Sequence, residues 1–516
     1  MMRPVAPPIR VPHPFGPIER VGYSRCTRTA LLTSLALGTM LLGGCRVVGP
    51  NYSKPPAAGI APEFKEAGPT TFKESDGWKA AQPSDQTLHG KWWESFDDPQ
   101  LNALEEKVDP ANQTLKAADA DFRAARAAIG LYRANEAPTL SIGPSVGVVR
   151  QSANEPYVGS AAAAGGAGQG DFLLPLDISY EVDLWGRIHR SVVAAKERAQ
   201  AVDADLETAR LSLHAELALD YFGLRADDAQ EKLLDDTVAT YREASQLTQD
   251  RYDGGAAPLS DVTQARTQLQ TAEVQDSDVT VQRAQYEHAI AVLTGQAPAT
   301  LTLAATPVTV DPPTIPAIPG ALPSQLLERR PDIASDERQM ASANEQIGIA
   351  QAAFYPALDL SASVGLNSSS LLNLFTLPAR FFAVGPTLNQ TLYDHGRRRA
   401  GSDIALAQYD ATVANYRQTT LTAFQQVEDS LVALRVLETE AEQQRAATES
   451  AQQSLDLFKT RYEGGVDTYL QVVTSQTTAL QNQRNEIEIT QRRLDASVLL
   501  IKALGGGWTT AQLPKL

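Results

Sequence analysis

Cysteine is nearly absent from this 516-residue chain, which has only Cys26 and Cys45. Arg20, Arg25 and Arg28 precede the apolar stretch TALLTSLALGTMLLGG, which runs up to Cys45. That is the arrangement of a secretory leader. Cys26 leaves with residues 1–44, so the mature chain has no cysteine pair and disulfides cannot hold it together. Basic charge is also scarce: 45 Lys and Arg stand against 61 Asp and Glu, a formal net charge of -16. Losing residues 1–44 removes five arginines and one glutamate, so the net charge becomes -16 - 4 = -20. Such a chain has no basic face for nucleic acid. Its one compact basic run, Arg397 to Arg399, reads as a strand end or membrane-interface anchor. The six histidines (His13, His89, His189, His214, His288, His395) form no metal-ligand spacing and read as surface residues. AGGAGQG near Gly166 lacks the following helix and ribose-binding acid of a dinucleotide loop. No carboxylate pair stands out, and an enzyme is not indicated. The leader's apolar run of about 15 residues falls short of the roughly 20 a spanning helix needs, and no other run is longer.

The chain does contain the same unit twice. RYDGGAAPLSDV from Arg251 returns as RYEGGVDTYLQV from Arg461. Gly186-Arg187 returns as Gly396-Arg397, and Gly295 as Gly505, always 210 positions later. Pro138 answers to Pro356 at an offset of 218, so the eight extra residues fall in the low-complexity stretch VGSAAAAGGAGQGD. The organisation follows: residues 1–44 a signal peptide; 45–90 an extended N-terminal strap; 91–300 a first repeat of helix, two strands and a long helical hairpin; 301–320 a proline-rich crossover; 321–508 a second repeat; 509–516 a C-terminal tail.

From Gly186 to Tyr252 the chain is free of proline and rich in helix formers. About 65 residues at 1.5 Å each make a helix of about 100 Å. After the glycine turn a second helix returns to Leu293. In the second copy Val473, Leu480, Ile487, Leu494 and Ile501 recur every seven positions, a narrow coiled-coil seam. Ordinary core helices carry a wider apolar stripe. A wall one helix thick, wet on both sides, has this composition, and so does a two-helix rod.

Strand patterns complete the unit. Phe172, Leu174, Leu176, Ile178, Tyr180, Val182 and Leu184 alternate with largely polar residues. Leu358, Leu360, Ala362, Val364 and Leu366 repeat the pattern, a return strand follows through Phe382, Val384, Leu388 and Leu392, and TLSIGPSVGVV after Pro138 makes four. Their lengths suit tilted membrane strands, but the smallest barrels use about eight strands. Either several copies share one barrel, which we favour, or the strands form a small soluble sheet.

Several strings resemble one family. CRVVGPNY, KWWESFDDPQLNAL, LLERRPDI, the two RYxGG turns and IKALGGGW are similar to the hallmarks of TolC-like outer membrane factors, in particular the NodT/OprM-type efflux lipoproteins. The resemblance implies a mainly α fold with a β-barrel part. Such a protein is a homotrimer with a 12-stranded β-barrel, continued by a periplasmic α-helical tunnel. It also implies the outer membrane channel of a tripartite efflux system, with a periplasmic adaptor and an RND-type inner-membrane pump as partners. The alternative is a lipid-anchored coiled-coil scaffold without a pore. LGGC resembles a lipobox, which makes Cys45 the lipid-bearing first residue, with no other cofactor. The matching adaptor-contact positions at the tips are Arg251, Tyr252, Gly255, Arg461, Tyr462 and Gly465. Aligned through RYEGG, the acidic gate positions of relatives fall on Gln471 and Thr474, and an arginine position on Thr477; all three are uncharged here. Closure is therefore expected from packing and polar contacts around Tyr462, Asp467 and Leu470, with Tyr462 and Arg461 available to hydrogen-bond Asp467 or a neighbouring chain.

Overall fold

The computed structural model describes residues 47–57, 64–66, 90–150, 168–306 and 328–516. The signal peptide, Cys45 and most of the crossover lie outside them.

The long helical hairpins of the two repeats match to the residue. Helix α1 (Pro99–Ala111) is capped by Asp98, whose carboxylate accepts from the amides of Gln100 and Leu101. Helix α2 (Gln113–Arg133) follows, capped by Asn112. Helix α3 (Arg187–Asp253) and helix α4 (Leu259–Leu293) form the first long hairpin. Helix α5 (Pro331–Ala352) opens the second repeat, and α6 (Arg397–Glu463) and α7 (Tyr469–Ala503) form its hairpin. Both long helices have 67 residues and both returning helices 35, so the 210-residue offset holds at all four boundaries. The long helices start one residue after Gly186 and Gly396, whose φ of 78° and 84° suits glycine.

Strands β1 (Thr139–Ile142), β2 (Ser145–Val149), β3 (Gln169–Val182), β4 (Ala357–Ser368) and β5 (Arg380–Asn389) make one antiparallel sheet. The strand expected over TLSIGPSVGVV is broken at Gly143-Pro144, because proline has no amide to give the ladder. Its halves keep one register on β3, with Ile142 opposite Leu176 and Ser145 opposite Leu173. β1 and β2 thus act as one strand, and the sheet is four strands wide. Three boundaries differ from expectation. Gln169–Asp171 of the low-complexity stretch belongs to β3, which ends before Leu184, and β5 ends at Asn389, before Leu392.

The seam on α7 is graded. Ile487, Leu494 and Ile501 are buried, while Val473 and Leu480 near the tip are half-buried. The main core lies at the other end of the hairpins. There Trp92, Trp93 and Phe96 pack with Leu101, Leu104, Tyr221, Phe222, Leu494 and Ile501. Two hallmark strings meet beside this core. Arg330 of LLERRPDI forks onto Asp332 and donates to the Ala503 carbonyl at 3.1 Å. Gly505 of IKALGGGW lies against the Arg329 carbonyl, where a Cβ would sit 2.1 Å from the oxygen. The strap runs antiparallel along α5. The Val48 amide donates to Trp185 O, Asn344 donates to Pro50 O, and Lys54 pairs with Glu337 at 2.6 Å. Arg190, buried and paired with Glu345, also donates to Val48 O at 2.7 Å. Further on, the amides of Lys65 and Glu66 donate to Glu428 of α6.

Candidate functional site

The sheet is built for an apolar solvent on one side. Its register aligns Ile142, Leu176, Val364 and Phe382 in one row, and Leu140, Ile178, Ala362 and Val384 in the next. The opposite face carries Ser141, Asp177, Ser363 and Ala383, then Thr139, Ser179, Ser361 and Gly385. Phe382 and Val384 are 82% and 77% exposed, as is usual only where lipid or protein covers them. β1/β2 on one edge and β5 on the other have no further strand partner among the described residues. In hydrocarbon each unpaired edge group costs several kcal/mol. Among the described residues no helix is long and apolar enough to cross a membrane.

The far ends of the hairpins carry the other candidate residues. Both RYxGG turns close in the same way. Ala256 and Val466 donate to the carbonyls of Arg251 and Arg461, with Gly255 and Gly465 at φ 73°. Nothing lies within 4 Å of a Cβ built on either glycine, so the turn alone requires glycine and the surface above stays open. The two tips then diverge. Arg461 grips Asp467 in a two-point ion pair, and this bond holds the Asp467 carboxyl below its ordinary range. Arg251, with Ala257 at the position matching Asp467, instead lies 4.7 Å over the ring of Tyr462.

Of the two residues available to hydrogen-bond Asp467 or a neighbouring chain, Arg461 bonds Asp467 within this chain. The ring of Tyr462 packs on Tyr469 at 5.3 Å, and its hydroxyl is buried without a hydrogen-bond partner in the single chain. Arg251 lies over the ring, and Arg461 already contacts both oxygens of the Asp467 carboxylate. Leu470, Gln471, Thr474 and Thr477 are all exposed along α7, on the side away from buried Tyr469, Val472 and Gln476. Thr477 accepts from Gln268 of α4 at 3.1 Å, and Thr474 is bonded to its own helix at Leu470 O. Tyr252 is exposed.

His214 is a correction to the surface reading of the histidines. It is 3% exposed, stacks on Trp93 at 4.5 Å and is hydrogen-bonded through Nδ1 to buried Glu105 at 2.6 Å. Burial by itself would lower its pKa, but Asp109 and Glu105 overcome that and raise it to about 9. Burial raises Glu105 to about 7, with His214 pulling the other way. Arg210 to Asp109 and Tyr221 to Asp98 extend this polar line between α1 and α3. No motif signals it, since the partners are more than a hundred residues apart.

A family model described as outer membrane efflux protein matches residues 107–296 and 322–506. This chain belongs to that family. It is an outer membrane efflux channel, and the match favours the channel over the scaffold. It is 32% identical over 482 residues, 93% of this chain and 96% of the relative, to the probable efflux pump outer membrane protein TtgC of Pseudomonas putida. Among solved structures, the channel is similar to the outer-membrane channel OprN (TM-score 0.79, 28% identity, 89% of this chain and 99% of that one). It is also similar to the open state of the MtrE outer membrane channel of Neisseria gonorrhoeae (TM-score 0.76, 25% identity, 90% and 98%). With the apolar sheet face in the outer membrane, helices of about 100 Å carry the RYxGG tips into the periplasm.

Proposed function

We propose that three copies of this chain close one barrel of twelve strands and one helical tunnel. The complex is a passive exit duct with no catalytic step of its own. The observation that carries this reading is the sheet with an apolar face and two open edges. One chain cannot satisfy those edges in a membrane, and the family resemblance supplies the number three. The tips, through Arg251, Tyr252, Gly255, Arg461, Tyr462 and Gly465, meet the hairpins of a periplasmic adaptor, which connects the duct to an RND-type inner-membrane pump. Both tips have open space over their glycines, which leaves room for such an approach.

Cys45 carries the lipid in this reading. The strap supports it, because from Val48 it runs beside Trp185, next to the end of the sheet. At the periplasmic mouth, opening and closure turn on packing and polar contacts around Tyr462, Asp467 and Leu470 rather than on rings of charge, because Gln471, Thr474 and Thr477 are neutral. Light scattering of the detergent-purified protein tests the assembly. Three chains per particle are expected; a folded, helical monomer would overturn the shared barrel. Mass spectrometry of the mature N-terminus tests the anchor, and an unmodified Cys45 would sink it.

A further inference from the structure

The duplication turns contacts inside the chain into a template for contacts between copies. Any contact between the repeats has an equivalent, found by adding 210 to the first-repeat residue and subtracting 210 from the second. Within the chain α3 packs on α7 through Ala226, Ala229, Leu233 and Ile487, and Arg484 donates to Gln230 at 3.3 Å. The equivalent surfaces are α6 around Val436, Thr439 and Gln443, and α4 around Val274 and Ser277, more polar than the in-chain contact but with apolar residues among them. Among the described residues these two helices form no such packed interface with each other. Their apolar residues face water instead: Val436 and Leu421 on α6, Val274 and Val281 on α4. The α3 residues equivalent to Val436 and Leu421 are Ala226, fully buried, and Leu211, which lies where it would touch a Cβ on Gly506. In a ring of three copies the six hairpins alternate, and α6 of one copy comes beside α4 of the next. A second copy of this chain is therefore the occupant that these faces fit.

The same operation at the tips yields a specific pair. Arg251 over Tyr462 becomes Arg461 over Tyr252. Both are exposed in the single chain, and only Arg461 has a competing partner, Asp467, where the first repeat has Ala257. We propose that Arg461 alternates between Asp467 of its own chain and the ring of Tyr252 of the adjacent copy. This inference rests on the three-copy reading above. The tip ring then holds three in-chain Arg251–Tyr462 contacts that stay formed and three Arg461–Tyr252 contacts between copies that open and close. When Arg461 reaches the neighbouring ring, adjacent hairpins are tied together and the mouth is narrow. When Asp467 takes Arg461 back, the hairpins part. Asp467 thus acts by holding the arginine, with no need to line the pore itself.

Thiol cross-linking on the full-length detergent-purified protein tests the pairing, with a short bis-maleimide and light scattering on the same samples. The control Arg251→Cys/Tyr462→Cys should bridge within one chain, and Tyr252→Cys/Arg461→Cys should give two- and three-chain bands on a denaturing gel. Three-chain particles with the control bridge but without cross-chain bands would overturn this pairing and leave the three-copy reading standing. Single-chain particles would overturn the three-copy reading itself. The competition has its own readout in planar-bilayer conductance. Asp467→Asn removes the exposed ion pair that holds Arg461 away from Tyr252, so open-state occupancy should fall about two- to five-fold for each of the three pairs lost. Adding Tyr252→Leu should abolish that fall. An equal fall with and without Tyr252 would overturn the exchange of partners.

Discussion

Replacing Gly505 with alanine tests whether the hallmark string IKALGGGW is a structural clamp. Gly505 has φ 92°, and an added Cβ would lie 2.1 Å from the Arg329 carbonyl oxygen and 2.8 Å from its carbon. These are backbone atoms of the segment leading into α5, so no side-chain rotation relieves the clash. The left-handed backbone costs an L-residue about 1–2 kcal/mol. Forcing a methyl into a filled space adds about 1–3 kcal/mol. Gly505→Ala should therefore cost about 2–5 kcal/mol, spread between strain and loss of the Arg330 to Ala503 bond. Gly465→Ala is the control. It has a similar backbone angle, φ 73°, but nothing within 4 Å of the added carbon, so only the about 1–2 kcal/mol of backbone strain applies. The assay is the temperature at which helical circular dichroism and the assembled species on a gel are lost. Gly505→Ala should fail well below Gly465→Ala, which should lie only slightly below the unmodified protein. Equal melting of the two variants would refute the clamp.

Other expectations concern charge. His214 has its folded pKa raised to about 9 from 6.5, so its stabilisation is complete below pH 6.5 and is lost as pH rises through about 9. Glu105 is raised to about 7, so its ionisation also costs stability as pH rises. Thermal stability should decline from pH 6 to pH 10, and the paired variant Glu105→Gln/His214→Gln should flatten that decline; an unchanged pH profile would count against the buried pair. At the mouth, Thr474→Asp should shift the reversal potential across a salt gradient toward cation selectivity, because three carboxylates at a constriction concentrate cations. An identical reversal potential would place the constriction elsewhere. Arg330→Lys should lower the melting temperature although the charge is kept, since an ammonium cannot reproduce the fork that reaches Asp332 and the Ala503 carbonyl.

Much of the fold was legible because it repeats. The 210-residue offset between the RYxGG turns carries the helix boundaries of one hairpin onto the other, and alternation places the apolar rows of β3, β4 and β5 on one face. The Gly143-Pro144 break has a sequence signal too, a proline within a strand pattern. His214 was not legible. It sits in HAELALDYF, where helical spacing leaves its direction open, and what buries it is Trp93 and Glu105, the latter 109 residues away. The strap's course was equally hidden, since Lys54 meets Glu337 across 283 residues through side chains alone. At the tips the resemblance named the positions. The different fates of Arg251 and Arg461 depend on one substitution between the repeats, Ala257 against Asp467, whose effect appears only when the two turns face each other.

Single-channel recording of the purified protein in a planar bilayer tests the duct most directly. Discrete conductance steps are expected from the three-chain species, with weak ion selectivity and no requirement for a nucleotide or other cosubstrate. A folded three-chain particle that inserts into the bilayer and passes no current, even in a Tyr252→Leu variant that lacks the tie between adjacent tips, would contradict the duct.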